Sequence, residues 1–220
     1  MKSNAVKKAI LNRSRPAVFI DRDGTINYDT NYVNHPDQLK LLPGAAEGIQ
    51  LLNQNNILKV VSSNQSGVAR GYLTVKTLDM IHRRLKALLK RRGASLDAIY
   101  YCPYHPEEKH PYRKPGIGMA LAAQKDIGID LSHSYMVGDS QSDMEFARNL
   151  GAKKILVLGG KSNGREAWVK KIKVDCLAQD LLGAALWIVN DQKVKKSGRG
   201  IRLDAAGSKQ ALKKSKAEKL

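Results

Sequence analysis

The 220-residue sequence has two cysteines, no long apolar run and few acidic residues. Two cysteines cannot build a disulfide scaffold, and their separation of 74 residues favours reduced thiols in a cytoplasmic protein. No segment approaches eighteen consecutive apolar residues, and the first fifteen residues lack the apolar stretch and cleavage site of a signal peptide. We therefore expect neither a membrane-spanning nor a secreted protein.

The excess of basic residues is concentrated at the two ends of the chain. There are 38 Lys and Arg against 20 Asp and Glu, which gives a formal charge of +18. Residues 1–15 contribute +5 and residues 190–220 contribute +7, which leaves +6 for the body. We predict one globular domain over residues 16–189, a basic N-terminal extension at 1–15 and a flexible basic tail at 190–220.

The basic tail leaves two functional interpretations open. Lys and Arg that neutralise phosphates release counterions, so the tails could bind nucleic acid or another polyanion. The segment 190–220 contains no aromatic residue and no recognisable binding motif, which favours a solvated extension without a specific partner. A polyanion-binding protein that acts through its tails therefore stays an alternative from a different functional class.

The body alternates short apolar runs with amphipathic segments. The runs predict strands at 17–20, 57–61, 98–101, 135–137 and 154–158, and Thr74 is expected to cap a helix between the second and third. This rhythm predicts an α/β fold: a Rossmann-like three-layer sandwich with a mainly parallel central sheet. Asp21 and Ser63 are 42 residues apart and Ser63 and Lys114 are 51 apart, which leaves no room for a large cap domain.

Polar residues follow several of the predicted strands. In an open α/β sheet, ligands bind at the edge formed by the carboxyl ends of the strands. Asp21 and Asp23 follow the first strand and Asp139 follows the fourth. Crowded carboxylates need a compensating cation, and oxygen ligands favour Mg²⁺, so Asp21 and Asp139 are the expected ligand pair.

Two further residues suit the site to phosphoryl transfer. Lys114 can neutralise a phosphate from the side opposite the metal, and Ser63 adds a hydroxyl donor. One of the two aspartates at 21 and 23 can attack phosphorus while the other transfers protons. Gly24 allows a sharp turn beside the phosphate, and Thr25 can fix the loop by hydrogen bonding.

The motifs Asp21-Arg-Asp-Gly-Thr25, Ser63, Lys114 and Gly138-Asp139-Ser-Gln-Ser-Asp143 resemble the four motifs of the haloacid dehalogenase (HAD) superfamily, in order. The resemblance implies an HAD-like phosphatase that forms an aspartyl-phosphate on Asp21, with Asp23 as general acid and base. It also implies that Mg²⁺ is held by Asp21, the main-chain carbonyl of Asp23 and Asp139, and that Asp143 supports these ligands.

Over residues 15–188 the sequence is similar to the family of D-glycero-D-manno-heptose 1,7-bisphosphate 7-phosphatases and histidinol-phosphate phosphatases. The similarity implies a cytoplasmic, monomeric hydrolase of a small phosphorylated sugar, in carbohydrate metabolism that supplies nucleotide-heptose for lipopolysaccharide. Histidinol phosphate, from histidine biosynthesis, is the alternative substrate. A bisphosphate needs cations at both ends, and the Arg113 guanidinium suits the second phosphate. The implied substrate-binding residues are Thr25, Asn64, Gln65, Arg70, Arg113 and Lys114.

Two segments partly match known ligand-binding patterns, one for zinc and one for a nucleotide phosphate, but neither match is complete. Many members of this family hold zinc in the loop after the third strand, but here Tyr104 replaces one ligand and the later cysteines are absent. Cys102, His105 and His110 offer at most three ligands of the four that structural zinc requires, so we do not expect zinc. The segment from Gly159 to Ser162 lacks the first glycine of a P-loop, and we assign it no role.

Overall fold

Six strands and six α-helices alternate in the computed structural model, which describes residues 14–158 and 160–197 apart from the side chains of Lys196 and Ser197. The strands are β1 (Ala17–Ile20), β2 (Leu58–Asn64), β3 (Ala98–Cys102), β4 (Tyr135–Gly138), β5 (Lys153–Val157) and β6 (Cys176–Ala178). The helices are α1 (Ala45–Gln54), α2 (Val75–Arg91), α3 (Gly118–Ile127), α4 (Gln141–Leu150), α5 (Ala167–Ile172) and α6 (Leu181–Ser197).

All six strands run parallel in one sheet, in the order β3-β2-β1-β4-β5-β6. The central strand β1 pairs with β2 on one side and with β4 on the other, so Phe19 lies level with both Val60 and Met136. Every residue of β1 is buried, as expected for a parallel strand whose two faces are both covered by helices. The predicted parallel α/β sheet is confirmed.

Alternate residues of β1 point into two separate cores. Val18 and Ile20 belong to the core on the side of α1, α2 and α6. Ala17 and Phe19 belong to the core on the side of α3, α4 and α5. Because the side chains of a strand alternate between its faces, a four-residue apolar strand supplies both cores at once. This arrangement confirms the predicted three-layer sandwich.

Side-chain caps fix where two of the helices begin. The Thr74 hydroxyl accepts a hydrogen bond from the N–H of Thr77 at 3.1 Å, which confirms the prediction that Thr74 caps α2. The main-chain N–H of Ser140 donates to the Asp143 carboxylate at 3.1 Å at the start of α4. Since Asp139 immediately precedes this cap, the start of α4 sets the positions of both Asp139 and Asp143.

No separate cap domain interrupts the fold between the first and third motifs. The chain from Asp21 to Lys114 is described throughout, and it forms α1, β2, α2, β3 and their connecting loops. Each of these elements belongs to the three layers. The expectation that there is no large cap domain between these motifs is confirmed.

The structure differs from the sequence prediction at the C-terminal end. Three elements were not predicted: the helices α5 and α6 and the edge strand β6. The expected start of the tail at residue 190 falls inside α6, which continues to Ser197. The remainder of the tail, 198–220, and residues 1–13 of the N-terminal extension lie outside the described residues. Among the described residues, no helix has the length and apolar character to cross a membrane.

Candidate active site

Three aspartates meet at the carboxyl edge of the sheet. Asp21 follows β1 and Asp139 follows β4, and these two strands are neighbours. The N–H of Asp21 donates to the carbonyl oxygen of Val137 at 2.9 Å, which extends the strand pairing as far as Asp21. Asp143 reaches the same point from the first turn of α4. One carboxylate oxygen from each of the three lies within 4.8 Å of the other two.

The crowding of buried carboxylates has a clear electrostatic consequence. Burial, together with the charges of Asp143 and Asp139, raises the pKa of Asp21 to about 7 even though Lys114 acts in the opposite direction. Burial and the neighbouring Asp143 raise the pKa of Asp139 to about 6. Both shifts show that the site disfavours its own negative charge and would be stabilised by a cation.

Lys114 is the buried cation of this cluster. Its Nζ lies 2.7 Å from Oδ1 of Asp21 and 2.6 Å from Oδ1 of Asp143. Burial alone would lower the pKa of Lys114, but the two carboxylates raise it above its usual value. The ammonium group is therefore charged and fixed between two acids.

Asn64 holds the main chain of Lys114 from the end of β2. The N–H of Lys114 donates to Oδ1 of Asn64 at 3.0 Å, and Nδ2 of Asn64 donates to the carbonyl oxygen of Lys114 at 3.2 Å. The peptide between Lys114 and Pro115 is cis. Asn64 was expected to bind substrate. It does line the cavity of the site, but its amide is already used to position Lys114.

Asp23 is surrounded by hydrogen-bond donors. The guanidinium of Arg22 contacts both carboxylate oxygens, with Nη2 at 2.9 Å from Oδ1 and 2.7 Å from Oδ2. Nδ2 of Asn27 donates to Oδ1 at 2.8 Å, and Nε2 of Gln65 donates to Oδ2 at 2.8 Å. Burial would raise the pKa of Asp23, but Arg22, Asn27 and Gln65 lower it below its ordinary value.

Ser63 and Thr25, the two predicted hydroxyl residues, lie in different places. Ser63 is buried at the floor of the cavity, and its Oγ accepts a hydrogen bond from Nε2 of Gln65 at 2.9 Å. Thr25 instead lines a separate cavity of about 250 Å³ beside Leu42 and Leu181. Its Oγ1 is buried and has no hydrogen-bond partner within residues 14–158 and 160–197. The expected loop-fixing hydrogen bond from this hydroxyl is therefore wrong, and Thr25 does not face the main cavity.

A cavity of about 370 Å³ opens above the aspartates. Its walls carry two arginines, Arg70 from the loop after β2 and Arg113 from the loop after β3. Nη1 of Arg113 is buried and has no hydrogen-bond partner among the described residues, so this side chain has an unused donor. The structure thus brings together every predicted site residue except Thr25.

Lys161 is a cavity residue that the sequence analysis missed. Its N–H donates to Oδ2 of Asp139 at 2.7 Å, and its Nζ lies 3.1 Å from Oδ2 of Asp29, which also lines the cavity. Lys161 lies in the loop that follows β5, so the same edge of the sheet that located the aspartates would have indicated it.

The residues at the aspartate cluster fit a hard divalent cation. Oδ1 of Asp139 is buried and has no hydrogen-bond partner in the part of the chain that the structure describes, although burial normally requires one. A Cβ at either Gly24 or Gly160 would collide with the Asp139 carboxylate, so backbone packs closely around this side chain. Carboxylate oxygens beside close backbone are suitable ligands for Mg²⁺.

The potential zinc ligands in the loop after β3 make other contacts. His110 stacks on the ring of Tyr104 with centroids 3.9 Å apart, and its Nδ1 accepts from the N–H of Tyr112 at 3.1 Å. His105 caps a short 3₁₀ turn, and Cys102 is buried. Within the described part of the chain, the acidic cluster is the one group of three or more such residues close enough to share a metal.

Comparison with known proteins gives consistent matches over the body of the chain. A family model described as HAD-hydrolase-like matches residues 111–184. The D-glycero-D-manno-heptose-1,7-bisphosphate 7-phosphatase of Thermosynechococcus vestitus is 39% identical over 187 residues, which cover 79% of this chain and 95% of that protein. The D-glycero-beta-D-manno-heptose-1,7-bisphosphate 7-phosphatase of Escherichia coli K12 is 40% identical over 164 residues, which cover 70% of this chain and 85% of the relative.

Two solved structures support the same assignment of the fold. The D,D-heptose 1,7-bisphosphate phosphatase of B. bronchiseptica, complexed with magnesium and phosphate, superposes with a TM-score of 0.73 at 32% identity. The superposition covers 80% of this chain and 99% of that structure. A HAD-like phosphatase from Mesorhizobium loti gives a TM-score of 0.70 at 35% identity and covers 81% of this chain and 87% of that structure.

Proposed function

This chain belongs to the heptose 1,7-bisphosphate 7-phosphatase family of HAD-like phosphatases, and from that premise we propose that it removes the 7-phosphate of a D-glycero-D-manno-heptose 1,7-bisphosphate. The products are heptose 1-phosphate and inorganic phosphate. One observation carries the proposal: Lys114 is buried between Asp21 and Asp143, next to Asp139, at the floor of a cavity whose walls carry Arg70 and Arg113. This arrangement offers a reaction centre for one phosphate and cations for another.

We assign a Mg²⁺ site to the carboxylates of Asp21 and Asp139 and the main-chain carbonyl of Asp23. When bound, the ion supplies the positive charge that offsets repulsion between an attacking carboxylate and a phosphate dianion. The buried, unpartnered Oδ1 of Asp139 and the raised pKa values of Asp21 and Asp139 support this assignment.

In the proposed reaction, the Asp21 carboxylate attacks the phosphorus of the 7-phosphate. Before substrate binds, Asp23 is a carboxylate, because Arg22, Asn27 and Gln65 lower its pKa against the effect of burial. The negative charge of the substrate phosphate disfavours that form, so Asp23 takes up a proton as the substrate binds. The bond between phosphorus and O7 then breaks, its electron pair passes to O7, and the protonated Asp23 gives O7 this proton. A water molecule then loses a proton to Asp23 and attacks the phosphorus of the aspartyl-phosphate. This second attack releases phosphate and restores both Asp21 and the proton on Asp23.

The other predicted residues have positioning and binding roles in this proposal. Ser63 and Lys114 orient the phosphate at the reaction centre, and Asp143 keeps Lys114 in place through their 2.6 Å contact. Arg113, with a free donor, binds the second phosphate together with Arg70. Gln65 faces the substrate from beside Ser63, and Asn64 acts through Lys114. We assign no substrate contact to Thr25.

The proposed product suggests where the reaction belongs. A sugar 1-phosphate is the form that can be coupled to a nucleotide, so the enzyme would supply activated heptose for lipopolysaccharide or another surface glycan. We propose that it does so as a cytoplasmic monomer. Arg113 provides the sharpest reason to prefer a bisphosphate over histidinol phosphate, which carries one phosphate only.

The test compares kcat/KM for heptose 1,7-bisphosphate, heptose 7-phosphate and histidinol phosphate. We expect the bisphosphate to be preferred by about 10-fold or more, because its second phosphate pairs with Arg113 in the transition state. Arg113→Met should remove the preference for the bisphosphate over the monophosphate and leave the monophosphate rate nearly unchanged. A preference for histidinol phosphate would overturn the substrate assignment.

Asp21→Asn should lower turnover of every substrate by about 1,000-fold or more, and near-normal turnover would overturn the mechanism.

A further inference from the structure

Arg22 is a buried charged residue for which the proposed reaction has no use. Its side chain is fully buried, and among the fully buried side chains of the described residues it is the largest. Buried arginines occur where their charge is paired. Arg22 does not line the cavity above the aspartates, so it does not contact a ligand there. Its contacts instead lie within the protein.

The guanidinium of Arg22 bridges Asp23 and a histidine that lies 60 residues away in the sequence. Two of its nitrogens, Nε and Nη2, contact Asp23, and its Nη1 lies 3.4 Å from Nε2 of His82 in α2. Arginine can only donate hydrogen bonds, so Nε2 of His82 is the acceptor and the ring is neutral. Burial and the charge of Arg22 lower the pKa of His82 to about 3, which agrees with that assignment. His82 is itself packed at 5.3 Å from the ring of Tyr101.

The donors around Asp23 fall into two groups. Arg22 and Asn27 approach from inside the protein and do not line the cavity. Gln65 does line the cavity, and its Nε2 donates to Oδ2 of Asp23 from that side. A leaving oxygen that enters the cavity can therefore displace Gln65 while Arg22 and Asn27 still hold the carboxyl group from behind.

We propose that Arg22, anchored by His82, is a positioning residue that fixes the Asp23 carboxyl group for proton transfer to the leaving oxygen. The inference rests on the proposed function, in which this proton neutralises the oxygen that receives the electron pair of the broken bond to phosphorus. Without the planar guanidinium of Arg22, Asp23 still has its carboxyl group, but the orientation of that group is no longer fixed. Orientation accounts for a large part of the rate acceleration that a general acid provides.

A leaving-group experiment tests this role. An alkyl oxygen needs a proton as it leaves, whereas p-nitrophenolate does not, so a defect in proton donation appears on alkyl phosphates and not on p-nitrophenyl phosphate. The rate of leaving-group release is measured in a single turnover, because the later hydrolysis of the aspartyl-phosphate is common to both substrates. For Arg22→Lys we expect a loss of about 10- to 100-fold on heptose 1,7-bisphosphate and less than about 3-fold on p-nitrophenyl phosphate.

His82→Phe is the second variant, because it keeps the ring and leaves Arg22 intact but removes the acceptor. We expect a smaller loss with the same selectivity for the alkyl substrate, and this result tests the proposal even if Arg22→Lys does not fold. Arg83→Met is the matched control: Arg83 is the next residue of α2, is exposed, and should show no loss on either substrate. Equal losses on both substrates, or none, in Arg22→Lys and His82→Phe would overturn the inference.

Asp23→Asn separates this inference from the proposed function. If Asp23→Asn loses much more on the alkyl substrate, Asp23 is the proton donor and the variants at Arg22 and His82 decide the inference on their own. If Asp23→Asn loses equally on both substrates, the proton-transfer role of Asp23 is wrong, and the inference fails with it. The preference for a bisphosphate substrate is unaffected by either result.

Discussion

Asp21, Asp139 and Asp143 lie within 4.8 Å of one another although all three are buried and carry the same charge. Lys114 provides one positive charge for three negative ones. In the absence of a metal the folded state is therefore destabilised by repulsion that the unfolded chain does not experience. This stored repulsion makes the cluster selective for a cation, and it also makes the metal-free protein sensitive to pH.

Asp139→Asn should make the metal-free protein more stable. The pKa of Asp139 is raised from 3.8 to about 6 in the folded state, so its charge destabilises the fold above pH 6 and has no effect once both states are protonated below about pH 4. We expect a gain of about 1 to 2 kcal/mol in the free energy of unfolding at pH 8 in EDTA, which shrinks as the pH falls to 4. Thermal melting of both proteins across this pH range measures it.

The same variant should lose the response to magnesium. We expect Mg²⁺ to raise the melting temperature of the normal protein by binding the folded state. Asp139→Asn removes a proposed ligand, so in this variant the shift should disappear together with activity. Asp37→Asn, which alters an exposed carboxylate, is the control and should change neither quantity. A metal-free Asp139→Asn protein that is less stable than normal at pH 8 would contradict the account of repulsion.

At the residue scale, the sequence indicated the candidate catalytic residues but not the residues that hold their side chains in position. Asp21 and Asp139 stand out because charged residues directly after apolar strands are unusual, and Lys114 stands out as a cation in the loop between β3 and α3. The contact between Arg22 and His82 joins residues 60 positions apart, and nothing in either local sequence indicates it. Lys161 could have been found from its place after β5, whereas the pairing of Arg22 with a neutral histidine required the packed structure.

At the element scale, the loop from Pro103 to Ile117 is held by contacts between its own side chains. The stacked rings of Tyr104 and His110 lie 3.9 Å apart at an interplanar angle of 20°. Tyr112 packs its ring edge against His110 at 5.5 Å and donates its N–H to the same residue. Because Arg113 and Lys114 follow directly, this aromatic cluster acts together with Asn64, which holds the main chain of Lys114, to position the two cations.

Tyr104→Ala should therefore weaken substrate binding and turnover together. Loss of the stack lets the loop move, and a displacement of the order of 1 Å at Lys114 is enough to lower kcat/KM by about 10-fold or more. Tyr104→Phe keeps the ring and should behave like the normal protein in steady-state kinetics. If Tyr104→Ala retains normal kcat/KM, or if Tyr104→Phe is equally impaired, the aromatic stack does not organise the loop.

The elements that were predicted and those that were missed differ in their hydrophobic pattern. The first five strands are apolar runs bounded by polar or turn residues, which is a clear signal. β6 has three residues and one of them, Leu177, is exposed, so no run is visible. α6 begins with the apolar segment from Leu181 to Val189 and ends with a charged one, so it shows no regular amphipathic period over its length. Packing on α1 and the sheet, not its own pattern, defines this helix.

At the scale of the whole molecule, the site and the end of the described chain lie at opposite edges of the sheet. The catalytic candidates follow the last residues of the strands. Asp191 of α6 contacts the first residues of two strands, with Oδ2 accepting from the Tyr135 hydroxyl at 2.8 Å and Oδ1 lying 2.5 Å from Nζ of Lys153. The later turns of α6 are thus part of the fold, and they lie on the side of the sheet away from the cavity.

Two truncations separate the structural part of the C-terminal end from the basic segment. Removal of everything after Val189 deletes Asp191, which leaves the buried Tyr135 hydroxyl and the Lys153 ammonium without their partner, and should lower the free energy of unfolding by about 2 to 3 kcal/mol. Removal of residues 198–220 keeps these contacts. It should leave the melting temperature and kcat/KM unchanged, because the deleted residues follow the edge opposite the site.

The shorter deletion also tests the charge interpretation. Residues 198–220 carry seven basic and two acidic residues, and their loss should shift elution from a polyanion column to lower salt if they supply the contacts. Substitution of the same seven basic residues by Gln in the full chain is the control for length. Unchanged elution in both proteins would assign the affinity to the rest of the chain, in which residues 1–15 contribute +5 and α2 presents Arg83, Lys86 and Lys90 on its exposed face.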